Sequence, residues 1–248
     1  MKKTSSGSGR RRAAAPPRAP SVHRNGSSSN GAAPRGRRHG DAEEKPAPLK
    51  LEPPIEVRVA RPADVAWIAQ IQGLIREAHE AGAIIALRSS DYLAHAIRDR
   101  RAVVVVRHGT LVGFATAHPW ESERYVSHSA MVVSPELRGR GLARRMKSAL
   151  VELSRKRWPN AAILSLTLSP QVEQMNKSFG FEPVPYCDLT KDPEFWKGCE
   201  GCIHFAHLKR NQQQDCHCWA GLLMPVGQPR EKIVPRDAHG HPSASSSH

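Results

Sequence analysis

A glycine-rich stretch between a strand-like run and a helix-like run has the residues needed to bind an anion. "SPELRGRG" (134–141) follows "YVSHSAMVV" (125–133) and precedes a segment with apolar and basic faces. The apolar face carries Leu142, Met146, Ala149, Leu150 and Leu153, and the basic face carries Arg144, Arg145, Lys147 and Arg155. Glycines let a ligand approach the backbone, and free N–H groups at a helix start favour negative charge. The pattern predicts a phosphate-binding loop.

Two other phosphate loops are excluded by spacing. The GxxxxGK[ST] loop needs Lys-Ser/Thr after its second glycine, where this chain has Leu142-Ala143, and GxGxxG needs a third glycine, where it has Arg144. Taken alone, the pattern also fits a basic, glycine-capped turn on a solvated surface.

Four of the five cysteines are paired at a spacing typical of metal ligands: Cys199, Cys202, Cys216 and Cys218. Four thiolates make a closed tetrahedral site, which predicts a structural zinc, with His217 as a spare ligand. The alternative is that the cysteines line a pocket or lie buried in a last strand, "CHCWAGLLM".

The first 54 residues are rich in Ser, Gly, Pro, Ala and Arg and have almost no apolar runs, which predicts a disordered basic tail at 1–54. Through Gly40 this tail carries ten Lys and Arg and no acid, so it supplies +10 of the formal net charge of +14. Nucleic acid is not the expected partner, since such tails usually bind nothing specific. We expect one domain at 55–226, with a cysteine-rich part at 187–226, and a second disordered tail at 227–248.

No apolar stretch approaches 18 residues and no secretory segment is recognisable. The sequence therefore predicts a cytoplasmic protein without a membrane partner. It leaves the oligomeric state open, a homodimer included.

Periodicity predicts alternating strands and helices from Ile55 onward. A strand at 55–60 precedes a helix from Pro62 to about Gly82, and a second helix begins at Ser89-Ser90. "RAVVVVRHGTLVGFATAHPW" (101–120) is typical of two strands joined at His108-Gly109. Strand-like runs then follow at 125–133, 161–168 and "FEPVPYCDL", with helices between them.

The loop residues 138–143, "RGRGLA", resemble the pyrophosphate loop of the GNAT superfamily of acyl-coenzyme A N-acyltransferases, Gln/Arg-x-x-Gly-x-Gly/Ala. "FGFEPV" (179–184) resembles that family's entry into its sixth strand, and the element order over 55–187 is similar as well. The resemblance implies an α/β (α+β) GNAT fold, in which helices flank a mixed central sheet that is splayed between its fourth and fifth strands.

The same resemblance implies acetyl-coenzyme A as co-substrate and assigns residues to it. Val132 and Val133 would pair with the pantetheine arm, and a backbone N–H near Val133 would polarise the thioester carbonyl. The residues around the pyrophosphate would be Arg138, Gly139, Arg140, Gly141, Leu142 and Ala143.

Two segments, "GAIIALRSSDYLAHAIRD" (82–99) and 119–135, resemble the acyltransferase domain of N-acetylglutamate synthases, and "WKGCEGC" resembles an uncharacterised bacterial branch of acetyltransferases near it. Arg88-Ser89 matches a substrate-binding Arg-Ser pair of the synthases, whose arginine grips a carboxylate. A guanidinium suits that task because it pairs in a bidentate manner. The alternative is a helix-entry arginine in solvent.

The implied function is transfer of an acetyl or short acyl group from acyl-coenzyme A to the amine of a small molecule, an amino acid such as glutamate being favoured. Two alternatives stay open: a coenzyme A-binding module without catalysis, and a protein or polyamine N-acetyltransferase.

The chain departs from the family at both proton-transfer positions. It has Ser127 where the synthases have a glutamate, and Asn176 where many members have a tyrosine. The candidate bases are His128, Glu121 and Glu123. Asn176 could donate a hydrogen bond to the departing thiolate but cannot supply a proton. The parity of His128 opposes that of Ser127 and Ser129, so it could instead face the core, and the two glutamates could lie in a solvated loop.

Overall fold

The computed structural model of the protein describes residues 55–230. The predicted tail at 1–54 and residues 231–248 of the second predicted tail lie outside the described residues. The part that is described contains seven strands and six α-helices. They are β1 (Glu56–Val59), α1 (Ile68–Glu80), α2 (Ser90–Arg98), β2 (Ala102–Arg107), β3 (Thr110–Trp120), β4 (Tyr125–Val133), α3 (Leu142–Arg157), β5 (Ala162–Thr167), α4 (Pro170–Ser178), β6 (Glu182–Pro183), α5 (Pro193–Lys197), α6 (Phe205–Arg210) and β7 (Trp219–Leu223).

Local sequence signals set several element boundaries. The Ser89 hydroxyl caps α2 by accepting a 3.2 Å hydrogen bond from the Tyr92 N–H, and Ser169 caps α4 in the same way. His108 and Gly109 have φ values of +52° and +74°, which suit the tight turn between β2 and β3. The predicted first helix begins instead as a 3₁₀ turn, Pro62–Trp67, before α1.

The strands form one seven-stranded sheet in the order β1-β2-β3-β4-β5-β7-β6. Neighbouring strands are antiparallel except β4 and β5, which are parallel, so the predicted mixed α/β sheet is confirmed.

The pairing of β4 with β5 is short. Tyr125 lies opposite Ala162 and Ser127 opposite Leu164, and beyond that pair the two strands separate. The predicted splay between the fourth and fifth strands is therefore confirmed. We call the space between the diverging strands the cleft. Its closed end is the Ser127–Leu164 pair, and its open end is the carboxyl end of β4.

The sheet has a core on each face, because successive side chains of a strand point in opposite directions. On one face, Ile71 of α1 and Ile97 of α2 pack with Val104 and Phe114. On the other, the apolar side of α3 packs on residues that include Val103, Val105 and Val126. One sequence expectation fails here: Lys147, assigned to the basic face of α3, is only 2% exposed.

The cysteine-rich part adds β7 between β5 and β6 and builds a third apolar cluster around Trp196, Leu208 and Leu222. The strand predicted at "FEPVPYCDL" is reduced to two residues, since Pro183 and Pro185 have no N–H to donate to a ladder. No helix of the described chain is long and apolar enough to cross a membrane.

Candidate functional site

The predicted phosphate loop connects the open end of the cleft to α3. A 3₁₀ turn, Pro135–Leu137, ends β4, and Gly139 and Gly141 then adopt φ values of +77° and +73°. Those left-handed conformations strongly favour glycine and reverse the chain before α3 begins at Leu142. The Arg138 side chain donates from Nε to the Val133 carbonyl at 3.2 Å, so it braces the loop against the last residue of β4.

The loop offers backbone donors to solvent. No acceptor within residues 55–230 takes a hydrogen bond from the N–H groups of residues 139–143. Buried Leu142 and Met146 anchor the first turns of α3, while Gly139, Arg140 and Gly141 are exposed. Free N–H groups at the start of a sixteen-residue helix, among arginines, make an anion-binding site. The structure thus brings the predicted loop residues together beside Val132 and Val133.

A bulge interrupts β4 between this loop and the closed end of the cleft. Phe114 of β3 pairs with Val132 and Thr116 with Ser129. The two pairs are two residues apart on β3 but three residues apart on β4, so β4 has one extra residue. Ala130 adopts φ +54°, which is rare for a residue with a Cβ. A bulge leaves one residue without a ladder partner, so a backbone N–H can turn toward the cleft. The bulge lies close to Val133, near which the sequence predicts the carbonyl-polarising N–H.

Three hydroxyls meet where α2 crosses β3 and β4. The Tyr92 hydroxyl lies 3.2 Å from that of Thr116 and 3.3 Å from that of Ser129, and the last two are 3.0 Å apart. Arg88 and His118 lie beside this triangle. We call Arg88, Tyr92, Thr116, His118 and Ser129 the α2-face cluster.

The guanidinium of Arg88 is free to bind an anion. Its central carbon lies 4.8 Å from the centre of the Tyr92 ring, and the backbone of Gly198 passes close to it. Its Nε is buried with no hydrogen-bond partner among residues 55–230, and no carboxylate there forms an ion pair with it. Its predicted partner Ser89 is used as the cap of α2.

His118 is held in one protonation state. Arg101 donates from Nη1 to its Nδ1 at 2.9 Å and is itself held by Asp99. Because arginine can only donate, Nδ1 must accept and the ring proton must sit on Nε2. Burial, followed by the charges of Arg101 and Arg88, lowers the pKa of His118 to about 4. His118 is therefore a neutral donor at neutral pH.

This state can be observed directly. We expect ¹⁵N-detected NMR of His118 to show the Nε2–H form from pH 6 to 8, with protonation only as the pH falls toward about 4. The folded pKa lies below the unfolded one, so the stability contributed by His118 is complete above about 6.5 and is lost as the pH falls toward 4. Arg101→Met should raise the pKa and populate both tautomers. A His118 that titrates near 6.5 in the unaltered protein would contradict the assignment.

Comparison with protein families identifies the domain. Residues 68–181, from the start of α1 to Phe181, match the model described as the acetyltransferase (GNAT) family. These residues form a GNAT acetyltransferase domain. The suspected family and enzyme class are thus confirmed, whereas no curated protein matches the chain significantly in sequence.

Two solved structures share the fold of this chain over about two thirds of its length. N-acetylglutamate synthase from Neisseria gonorrhoeae, complexed with coenzyme A and N-acetyl-glutamate, is 19% identical with a TM-score of 0.51. That match covers 69% of this chain but only 36% of the synthase. Rv2747 from Mycobacterium tuberculosis, in complex with coenzyme A and NLQ, is 20% identical with a TM-score of 0.50. That match covers 68% of this chain and 98% of Rv2747.

Two of the predicted catalytic residues of the GNAT domain lie on the face opposite the α2-face cluster. His128 lies 2.9 Å from the Ser154 hydroxyl of α3 through Nε2, and its buried Nδ1 has no partner in the described chain. Burial, followed by the charges of Lys147 and Arg155, lowers the pKa of His128 well below its usual value. Asn176 is fully buried and donates from Nδ2 to the Ser165 hydroxyl at 3.0 Å.

The two glutamates lie in the turn between β3 and β4, at the end of β4 remote from the loop. Glu123 accepts a 3.1 Å hydrogen bond from the Trp158 indole. Glu121 accepts from the Thr190 hydroxyl at 2.7 Å and pairs with Arg124. The structure does not bring either glutamate together with the α2-face cluster.

The four paired cysteines line one cavity of the cysteine-rich part, together with Leu166, Tyr186, Trp196, His204, Phe205 and Leu208. Burial and the neighbouring thiols raise the pKa of Cys199 to about 11 and that of Cys218 to about 12, which favours the protonated thiols. Within residues 55–230 no group of three or more His, Cys, Asp or Glu side chains is arranged to hold a metal ion. The structural zinc predicted from Cys199, Cys202, Cys216 and Cys218 is therefore not supported.

Proposed function

We propose that the protein transfers an acetyl group from acetyl-coenzyme A to the amino group of a small acceptor that carries a carboxylate, with glutamate as the favoured candidate. One observation carries the acceptor class: Arg88 has no acidic partner in the described chain and lies beside a locked donor, His118.

Coenzyme A would bind along the cleft. Its pyrophosphate would accept hydrogen bonds from the N–H groups of 139–143, and its pantetheine arm would follow the unpaired edge of β4 past Val133 and Val132. This path leads to the bulge at Ala130. There a backbone N–H would donate to the thioester oxygen, on which negative charge develops when an amine attacks.

The acceptor would lie on the α2-face cluster. Its side chains are donors or hydroxyls: a permanently charged guanidinium, a neutral imidazole N–H and three O–H groups. Such a surface attracts a carboxylate and repels a polyamine. The ligands named in the Neisseria complex, coenzyme A and N-acetyl-glutamate, are the first to test.

The acceptor must attack as a neutral amine, but the cluster has no carboxylate to take the ammonium proton. His118 has its only lone pair occupied by Arg101, and the predicted bases His128 and Glu123 lie elsewhere. We infer that the proton leaves to solvent, so kcat/KM should rise with pH as the free amine is formed.

The proposal is tested by measuring thiol release from acetyl-, propionyl- and succinyl-coenzyme A with a panel of amino acids and with spermidine. We expect acetyl-coenzyme A with an acidic amino acid to give the highest kcat/KM. Thiol release with spermidine alone would contradict the acceptor class. Binding of acetyl-coenzyme A without thiol release from any acceptor would instead identify a non-catalytic module.

A further inference from the structure

Lys147 is a buried cation that the site described above does not use. Its side chain is 2% exposed, and no carboxylate of residues 55–230 forms an ion pair with it. Its Nζ lies 4.3 Å from the centre of the Phe181 ring. Desolvation lowers the pKa of Lys147 to about 7, so ammonium and amine coexist at neutral pH.

Neighbouring contacts place this amino group near the closed end of the cleft. His128, whose pKa is lowered by the charge of Lys147, is the first residue of β4 beyond the Ser127–Leu164 pair. The N–H of Phe181 donates to the Asn176 carbonyl, and the Asn176 side chain bonds Ser165, the first residue of β5 beyond that pair. Lys147 thus lies on the α3 and α4 side of the point where the strands separate.

A ligand anchored by phosphate at the loop would present its far end here. The open edge of β4 runs from Val133 to His128, about 17 Å at the usual rise per strand residue, which suits an extended phosphopantetheine arm. The thioester sulfur is at the end of that arm.

We propose that Lys147 is the proton donor to the coenzyme A thiolate that departs near the closed end of the cleft, an inference that rests on the proposed acyl transfer. The acceptor nitrogen forms the C–N bond, and the C–S bond then breaks with its electron pair leaving on sulfur. A proton moves from Nζ to sulfur and gives the free thiol. The acceptor nitrogen loses one proton to solvent, and the neutral Lys147 regains one from solvent, so the protons balance.

A structural role explains Lys147 poorly, because an unpaired buried ammonium destabilises a fold and methionine fills nearly the same volume. We therefore expect Lys147→Met to raise the melting temperature while lowering kcat about 100-fold or more, the usual range for loss of a general acid. Its coenzyme A Kd should stay within about twofold. Lys156→Met, on the exposed side of the same helix, is the matched control and should change none of these.

The pH profile separates proton donation from packing. With a saturating acceptor, kcat of the unaltered protein should fall as the pH rises through about 7, and Lys147→Met should lack that fall. The other titratable or charged groups on the surrounding elements are His128 on β4, whose pKa burial holds well below its usual value, Arg144 and Arg155 on α3, and Lys177 on α4, which is ion-paired with Glu173. If the unaltered protein is active and Lys147→Met has the same kcat and the same pH profile, this inference is overturned and the proposed function is not. A parent inactive with every acceptor would overturn the proposed function and this inference with it.

Discussion

Gly141→Asp is expected to abolish coenzyme A binding. Gly141 has φ +73° and its backbone lies among the free N–H groups where the pyrophosphate would rest. An added carboxylate about 4 Å from a phosphate costs about 4 kcal/mol of binding free energy at a protein surface. The left-handed backbone adds about 1 kcal/mol of conformational strain to the folded protein. Isothermal titration calorimetry should therefore detect no binding at coenzyme A concentrations that saturate the parent.

The chain provides a matched control for this substitution. Gly109, in the turn between β2 and β3, has φ +74°, and a Cβ there, as at Gly141, meets nothing within 4 Å. Gly109→Asp should lose a similar amount of stability yet keep the parent Kd. Gly141→Ala introduces the strain without the charge, so its coenzyme A affinity should lie between those of Gly109→Asp and Gly141→Asp. Unchanged affinity in a folded Gly141→Asp would rule out the loop as the phosphate site.

The elements that the sequence predicts well are those fixed by neighbouring residues. The turn at His108-Gly109, the cap at Ser89 and the loop at 138–141 each depend on a few consecutive side chains. The bulge at Ala130 does not, because it exists only through the register of β4 against Phe114 and Thr116. Nothing in "SHSAMVV" itself marks it.

The α2-face cluster was found only in part for the same reason. Arg88 is predicted from the resemblance of its segment to N-acetylglutamate synthases, but Thr116 and His118 on β3 and Ser129 on β4 come from separate stretches that only the fold brings beside Arg88 and Tyr92. A signal was present: Thr116 and His118 alternate with apolar residues on β3, and Ser127 and Ser129, their partners on β4, share one parity. His128, whose parity is opposite to that of Ser127 and Ser129, lies on the other face of the sheet in contact with Ser154 of α3, as the sequence predicts.

Lys147 shows the limit of helical periodicity. It borders the apolar face of α3 next to Met146, and periodicity alone assigns such a border residue to solvent. Whether the border is covered depends on α4 and Phe181, about 30 residues later in the chain. A charge buried by such a distant element is a tertiary property, and it marks a residue worth testing for function.

Arg88→Ala is expected to lower kcat/KM for an acidic amino acid roughly 30- to 1,000-fold. This corresponds to a loss of about 2 to 4 kcal/mol of transition-state stabilisation, as expected when one partner of a charge-assisted pair is truncated. The Kd of acetyl-coenzyme A should not change, because Arg88 lies on the α2-face cluster and not at the loop. Arg88→Lys should recover part of the loss, since an ammonium keeps the charge but not the two-pronged geometry. The control is Arg98→Ala, which replaces an exposed arginine at the end of α2, the helix that follows Arg88, and it should behave as the parent.

Steady-state kinetics of these variants with glutamate, aspartate and spermidine distinguish the possible acceptors. If Arg88 holds the substrate carboxylate, Arg88→Ala should lower kcat/KM for both acidic amino acids and should not lower it for spermidine. If the natural acceptor is a polyamine, removing this positive charge should leave kcat/KM unchanged or raise it, since like charges repel across a shared site. Normal glutamate kinetics in Arg88→Ala would show that the guanidinium stacked on Tyr92 does not hold the substrate, and the acceptor proposal would then be wrong.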